Sequence, residues 1–126
     1  MVLHKKQNNH LRLKRIYEEA EPEDGYRILV DRLWPRGISK QEAAIDEWMK
    51  EIAPSPELRK WFGHEPGRFA GFASSYIKEL EEDPERGRLA AKLDELVLEQ
   101  EVTLVYGAKD PVHNHANVLL EWLISR

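Results

Sequence analysis

A small α/β sandwich is the fold class this sequence predicts: three layers, with a mostly parallel sheet of about three to four strands flanked by helices. Three observations carry that prediction. Two short apolar runs, YRILVD (26–31) and VTLVY (102–106), have the length of strands and the continuous hydrophobicity of strands covered on both faces. Apolar residues also recur at helical spacing over 66–80, 84–97 and 112–123. Finally, 126 residues with 41% hydrophobic and 33% charged content is the balance of one compact domain. That domain is expected over 11–126, behind a loose tail at 1–10.

Leu11 to Ile16 alternate, as a first strand would. Residues 18–25, EEAEPEDG, are acidic and rich in turn formers, a surface connection too short for a helical crossover, so the first strand's direction stays open. YRILVD is the second strand, and Pro35 and Gly37 make 32–39 a loop. Ser39 with Glu42 forms a capping box for a helix from 40 to about 48. WMKEIAPS (48–55) fits either the end of that helix or a short strand. Ser55-Pro56 opens a helix anchored by Leu58, Trp61 and Phe62. Pro66 starts a longer helix with Phe69, Phe72, Ala73, Tyr76 and Leu80 on one face. Asp83-Pro84 starts another, with Leu89, Leu93, Leu96 and Val97 inward. VTLVY is a second buried strand. Asp110-Pro111 is the expected cap of the last helix, with Val112, Ala116, Leu119, Leu120 and Leu123 as its core stripe.

Composition narrows the function. Nineteen basic residues against 23 acidic ones give a net charge of −4, which offers no footprint for DNA. The absence of cysteine excludes disulfides, zinc–cysteine sites and thiol catalysis, and favours a cytoplasmic location. No apolar run approaches the roughly 20 residues of a membrane span, and MVLHKKQNNH has no signal-peptide h-region.

In open α/β sheets, ligands sit beyond the carboxyl ends of the strands. Two strand ends here are unusual: VDRLWPRG (30–37) and YGAKDPVHNH (106–115). If both face one edge, Asp31, Arg32, Arg36, Tyr106, Lys109, Asp110 and His113 share a cleft. With the helix starting at Asp110, its first turn offers free N–H groups and a positive dipole end. Lys109 adds charge, Gly107 permits close approach, and His113 is placed for acid–base work. His113 and His115 would then splay about 200° apart on the helix and fail as a two-ligand chelate. Either His113 or His115 could still serve a divalent metal alone, with ligands from elsewhere such as Asp31 or His64. Each residue also has a plain structural role open to it: Asp110 as a cap, the arginines as partners of surface acids, Trp34 as core or cleft wall, and His64 as a turn residue.

LVDRLWPRGISKQEA (29–43), EIAPSPELRKWFGHEP (51–66) and VTLVYGAKDPVHNHANVL (102–119) resemble the YeaO-like branch of the domain of unknown function 488 (DUF488) family. The resemblance runs from about Leu11 to Leu123 and implies a compact α/β sandwich, a bacterial or archaeal cytoplasmic setting, and no established activity. It also implies that 48–53 is a third strand. A related branch shares the positions of Asp31, Pro35, Arg36, Lys109, Asp110, Pro111, His113 and His115. That branch carries cysteines where this chain has Tyr106 and Asn114, so thiol chemistry does not transfer.

The expected function is binding of a small anionic or phosphorylated substrate. In an enzyme, His113, Lys109 and Asp31 would be catalytic, and Arg32, Arg36, Tyr106, Gly107 and His64 would bind substrate. The alternatives are a non-catalytic ligand-binding or regulatory module, including a homo-oligomer, and a metal-dependent hydrolase using His and Asp ligands.

Overall fold

The computed structural model describes residues 10–126; the expected tail falls outside the described residues except for His10. Four strands, β1 (Leu11–Arg15), β2 (Tyr26–Leu29), β3 (Glu47–Trp48) and β4 (Val102–Tyr106), form one sheet in the order β1-β4-β2-β3. Every pairing is parallel. The helices are α1 (Lys40–Ala43), α2 (Pro56–Phe62), α3 (Phe69–Glu82), α4 (Pro84–Glu99) and α5 (His115–Ser125).

The sheet faces are covered unequally. Ile28, Val30, Val102, Leu104 and Tyr106 pack with Tyr76 and Leu80 of α3, Leu93 and Val97 of α4, and Leu119 and Leu123 of α5. On the opposite face Leu29 and Val105 meet only Ile16, Ala43 and a loop layer of Trp34, Ile38, Ile45 and Trp48. The third layer of the sandwich is therefore thin, one helical turn and its flanking loops.

The first strand's direction, left open by pattern, is parallel to β4. Because β1 and β2 flank β4, residues 16–25 must cross it, and they do so without an α-helix. Asp24 takes the place of a packed helix. Its buried carboxylate accepts from Arg27 Nη1 at 2.7 Å, Lys14 Nζ at 3.1 Å and the Glu21 N–H at 3.0 Å. Its carbonyl accepts from Thr103 Oγ1 at 2.7 Å in the middle of β4. Burial alone would raise the Asp24 pKa, but these donors hold it below the ordinary carboxylate value.

Several helix starts lie where the side chains place them. Ser39 and Glu42 form their reciprocal box, Ser55 accepts from the Leu58 N–H, and Asp83 accepts from the Arg86 N–H. Other expectations need correction. The helix expected over 40–48 stops at Ala43, because Ala44 turns left-handed (φ 50°) and Asp46 accepts the Arg27 N–H at 2.8 Å, steering Glu47 and Trp48 onto β2. The strand expected at 48–53 is only Glu47–Trp48, followed by a 3₁₀ turn over Lys50–Ile52. Trp61 is 48% exposed and stays outside the core, its ring against Gly71 and under Arg68; the core anchor is Phe62, stacked on Phe72 with centroids 4.3 Å apart. The last helix begins at His115, not after Asp110, so Val112 lies outside it and is 59% exposed.

Candidate functional site

Parallel pairing sends the carboxyl ends of β1, β2 and β4 to one edge. A cavity of about 500 Å³ opens there, bounded by those strand ends, the 31–36 loop, α2 with its C-terminal turn, and the 107–115 segment. Asp31, Arg32, Arg36, Gly107, Lys109, His113, His115 and His64 all reach its wall. Tyr106 does not: it is 6% exposed and packs in the main core, since its position on β4 points it at the helices.

Asp31 occupies the centre of the wall. Its Oδ2 accepts the Gly107 N–H at 3.0 Å, while its buried Oδ1 has no hydrogen-bond partner and lies 3.5 Å from His115 Nε2. Gly107 leaves room for this contact. A Cβ there would fall 3.0 Å from Asp31 Oδ2 and 3.1 Å from two Pro35 carbons. Burial pushes the Asp31 carboxyl above its ordinary pKa, against the pull of His115, the Gly107 N–H and Arg59.

His115 opens α5 and its Nε2 lies 2.9 Å from the Val30 carbonyl, which can only accept. Nε2 therefore carries the proton and has no lone pair for a metal. Burial lowers the His115 pKa, favouring the neutral ring, with Asp31 and the Val30 carbonyl pulling the other way.

The 107–115 segment is a turn followed by a cap, not a helix start at Asp110. Asp110 Oδ1 accepts the N–H groups of Val112 and His113 at 2.9 and 3.0 Å. The chain then stays non-helical until Asn114, whose side chain accepts the Asn117 N–H and donates Nδ2 to the Asp110 carbonyl. His113 thus lies ahead of the helix and not in its first turn, where it was expected. Its Nδ1 sits 2.9 Å from Asp110 Oδ2, and its ring meets Phe69 edge-on at 5.2 Å. The His113 N–H, the Val112 N–H and the His113 ring together hold the Asp110 pKa at about 2. The two histidines therefore serve different partners. Among the described residues no group of three or more His, Asp or Glu side chains is arranged to hold a metal ion.

Residues that sequence reasoning passed over complete the wall. Arg15, at the end of β1, donates Nε–H to the Ala108 carbonyl at 2.9 Å and lies 4.5 Å over the Tyr17 ring. Arg59 projects from α2. Arg15 could have been marked only by knowing that β1 runs parallel. Arg59 carried no local signal at all.

The profile described as the inactive DUF488-N3 subclade matches residues 10–126. The chain belongs to the DUF488 family. Its DUF488 relatives include the uncharacterized protein YeaO of Escherichia coli K12, 49% identical over 116 residues, which span 92% of this chain and 98% of YeaO. The uncharacterized proteins Mb3100c of Mycobacterium bovis and Rv3073c of Mycobacterium tuberculosis are each 41% identical over 116 residues, 92% of this chain and 95% of theirs. This protein is thus a YeaO-like member of DUF488. No solved structure matches it. Among the described residues no helix is long and apolar enough to cross a membrane.

Proposed function

We propose that this protein is a non-catalytic module that binds a small anion in the cavity at the strand carboxyl ends. The charge on the wall carries the reading. Arg15, Arg32, Arg36, Arg59 and Lys109 line the cavity, and Asp31 is the one carboxylate on it. Among the described residues no carboxylate forms a close salt bridge with any of those five cations, and the one acid that acts on them is Asp31, which Arg59 pulls on. In a chain of net charge −4, such a local excess of positive charge focuses anions toward one place.

Two points favour binding over catalysis. The wall carries no cysteine, serine or threonine; its one hydroxyl, on Tyr17, donates to the Arg36 carbonyl. The trio expected to be catalytic is divided, with His113 on Asp110 and Asp31 on Gly107. The designation of the matching subclade as inactive agrees with this.

The test is thermal unfolding in sulfate, phosphate, nucleotides and sugar phosphates at constant ionic strength, for wild type and for Lys109→Ala and Arg36→Ala. An anion at about 100 times its Kd should stabilise by about 2.7 kcal/mol, roughly a 10 °C rise in Tm for a domain of this size. Both variants should shrink that rise. A Tm that no anion moves would refute the reading.

A further inference from the structure

The cations on the cavity wall fall into two groups. The first is gathered on the β1–β4 side. Arg15 is tied to the Ala108 carbonyl and covers Tyr17; the Tyr17 hydroxyl in turn donates to the Arg36 carbonyl at 2.5 Å. Lys109 follows Ala108 directly in the chain. These contacts hold the Arg15 side chain and the Arg36 backbone beside the loop after β4, which carries Lys109.

The second group belongs to the α2 side. Arg32 reaches toward the start of α2, its guanidinium 3.4 Å from the Pro54 carbonyl and 3.5 Å from that of Ala53, just ahead of the α2 cap Ser55. Arg59 comes from α2 itself. His64 comes from the turn after α2, held on the wall by left-handed backbone at Gly63 (φ 54°) and His64 (φ 59°).

Asp31 touches both sides: its carboxylate is fixed by the Gly107 N–H of the loop after β4 and is pulled on by Arg59 of α2. An anion placed beside this carboxylate is repelled; an anion at either end meets cations first. The cavity, at about 500 Å³, also has the size of sites that hold whole organic ligands rather than a single inorganic ion.

We propose that the cavity takes a small organic bisphosphate, one phosphate seated by Arg15, Arg36 and Lys109 and the other by Arg32 and Arg59, with the uncharged body of the ligand passing Asp31. This assignment rests on the cavity being an anion site and names the class of anion it takes. Joining two anions in one molecule makes the second contact intramolecular, so a bisphosphate gains far more than a second free ion would.

Isothermal titration calorimetry at fixed pH and ionic strength tests this with inorganic phosphate, glucose 6-phosphate and fructose 1,6-bisphosphate. The proteins are wild type, Arg36→Ala/Lys109→Ala and Arg59→Ala, each first shown to be folded by circular dichroism and thermal unfolding. The expected result is a bisphosphate bound about tenfold or more tighter than the monophosphate. Either variant should pull that ratio below about tenfold. If wild type binds both esters with a ratio below about tenfold, or if either variant leaves the ratio intact, the two-ended site is wrong while anion binding stands. If none of the three probes binds, both readings fall together.

Discussion

Replacing Asp31 by asparagine should tighten anion binding, and Coulomb's law gives the order of magnitude of the effect. The Asp31 side chain is the one carboxylate on a wall of cations, 18% exposed, with Oδ2 fixed by the Gly107 N–H. Asparagine is nearly isosteric, and its oxygen can accept the same N–H. The repulsion on an anion in the same cavity follows Coulomb's law, and a separation of about 7 Å serves as the order of magnitude. At an effective dielectric of about 20, unit charges about 7 Å apart repel by about 2.4 kcal/mol, and at about 40 by half that. The expected gain in affinity is therefore roughly 10- to 50-fold.

The pH dependence supplies a second, independent reading of the same charge. Sulfate is the suitable probe, because it stays a dianion across the working range. At pH above the raised pKa of Asp31 the wild-type protein carries the repelling charge and Asp31→Asn does not. As pH falls through that raised value Asp31 becomes neutral, and the ratio of wild-type to variant Kd should fall toward one. Taking the ratio cancels the other titrating groups on the wall. Linkage gives the matching sign for the unliganded protein. The folded state holds the Asp31 proton more tightly than the unfolded chain does, so stability declines as pH rises from the ordinary carboxylate value through the raised one. Asp31→Asn should remove that decline. Titration calorimetry with sulfate across this window decides it. A Kd ratio of one at every pH, or weaker binding by the variant, would refute the counter-charge role of Asp31.

Other perturbations test the frame around the cavity. Asp24→Ala strips a buried carboxylate from Arg27 and Lys14, and should cost about 3–5 kcal/mol in urea unfolding. In wild type the Asp24 contribution is fully present above its unfolded pKa and is lost as pH falls through its lowered folded value, so the variant's acid-unfolding curve should be shallower. Gly107→Ala forces a Cβ to 3.0 Å from Asp31 Oδ2 and 3.1 Å from Pro35, which should cost about 1–3 kcal/mol by thermal unfolding and weaken sulfate binding. Asn114→Ala removes the α5 cap together with the bond to the Asp110 carbonyl, and should destabilise by about 1–2 kcal/mol. Chemical denaturation of that variant measures the loss, and an unchanged midpoint would count against Asn114 as the cap.

What could be read from the sequence depended on whether its cause was local. Strand β4 was legible because all of Val102–Tyr106 is buried, and the caps at Ser39, Ser55 and Asp83 were legible because a side chain closes on backbone within three residues. The same rule misled at Asp110. Its carboxylate takes the N–H groups two and three residues on, as a cap does, but the bonds close a turn and Asn114 repeats the signal four residues later. The end of α1 was illegible because it is decided by the Asp46–Arg27 bond across the fold and by an alanine in the left-handed region, where glycine would have announced itself. At the cavity, residues following β2 and β4 were found by position alone. Arg15 and Arg59 reach the same wall through the parallel setting of β1 and the docking of α2, which no local pattern records.

The contrast between the cavity and the rest of the molecule bears on why the cations are there. Elsewhere among the described residues the basic side chains that are buried or half-buried have acids beside them: Arg27 and Lys14 meet Asp24, and Arg86 meets Asp83, whereas the half-buried Arg15 and Arg32 of the wall meet only carbonyl groups and the Tyr17 ring. With 23 acids available, the chain is not short of partners for the five cations on the wall. Holding them together opposes folding through mutual repulsion, and the single buried carboxylate among them is itself destabilised by desolvation. Neither arrangement helps the fold. Both make sense if an anion completes the wall, because its binding relieves the repulsion among the cations and favours protonation of Asp31. The free protein should therefore gain stability from sulfate beyond the general effect of excluded salts, and the excess should disappear in Arg36→Ala/Lys109→Ala.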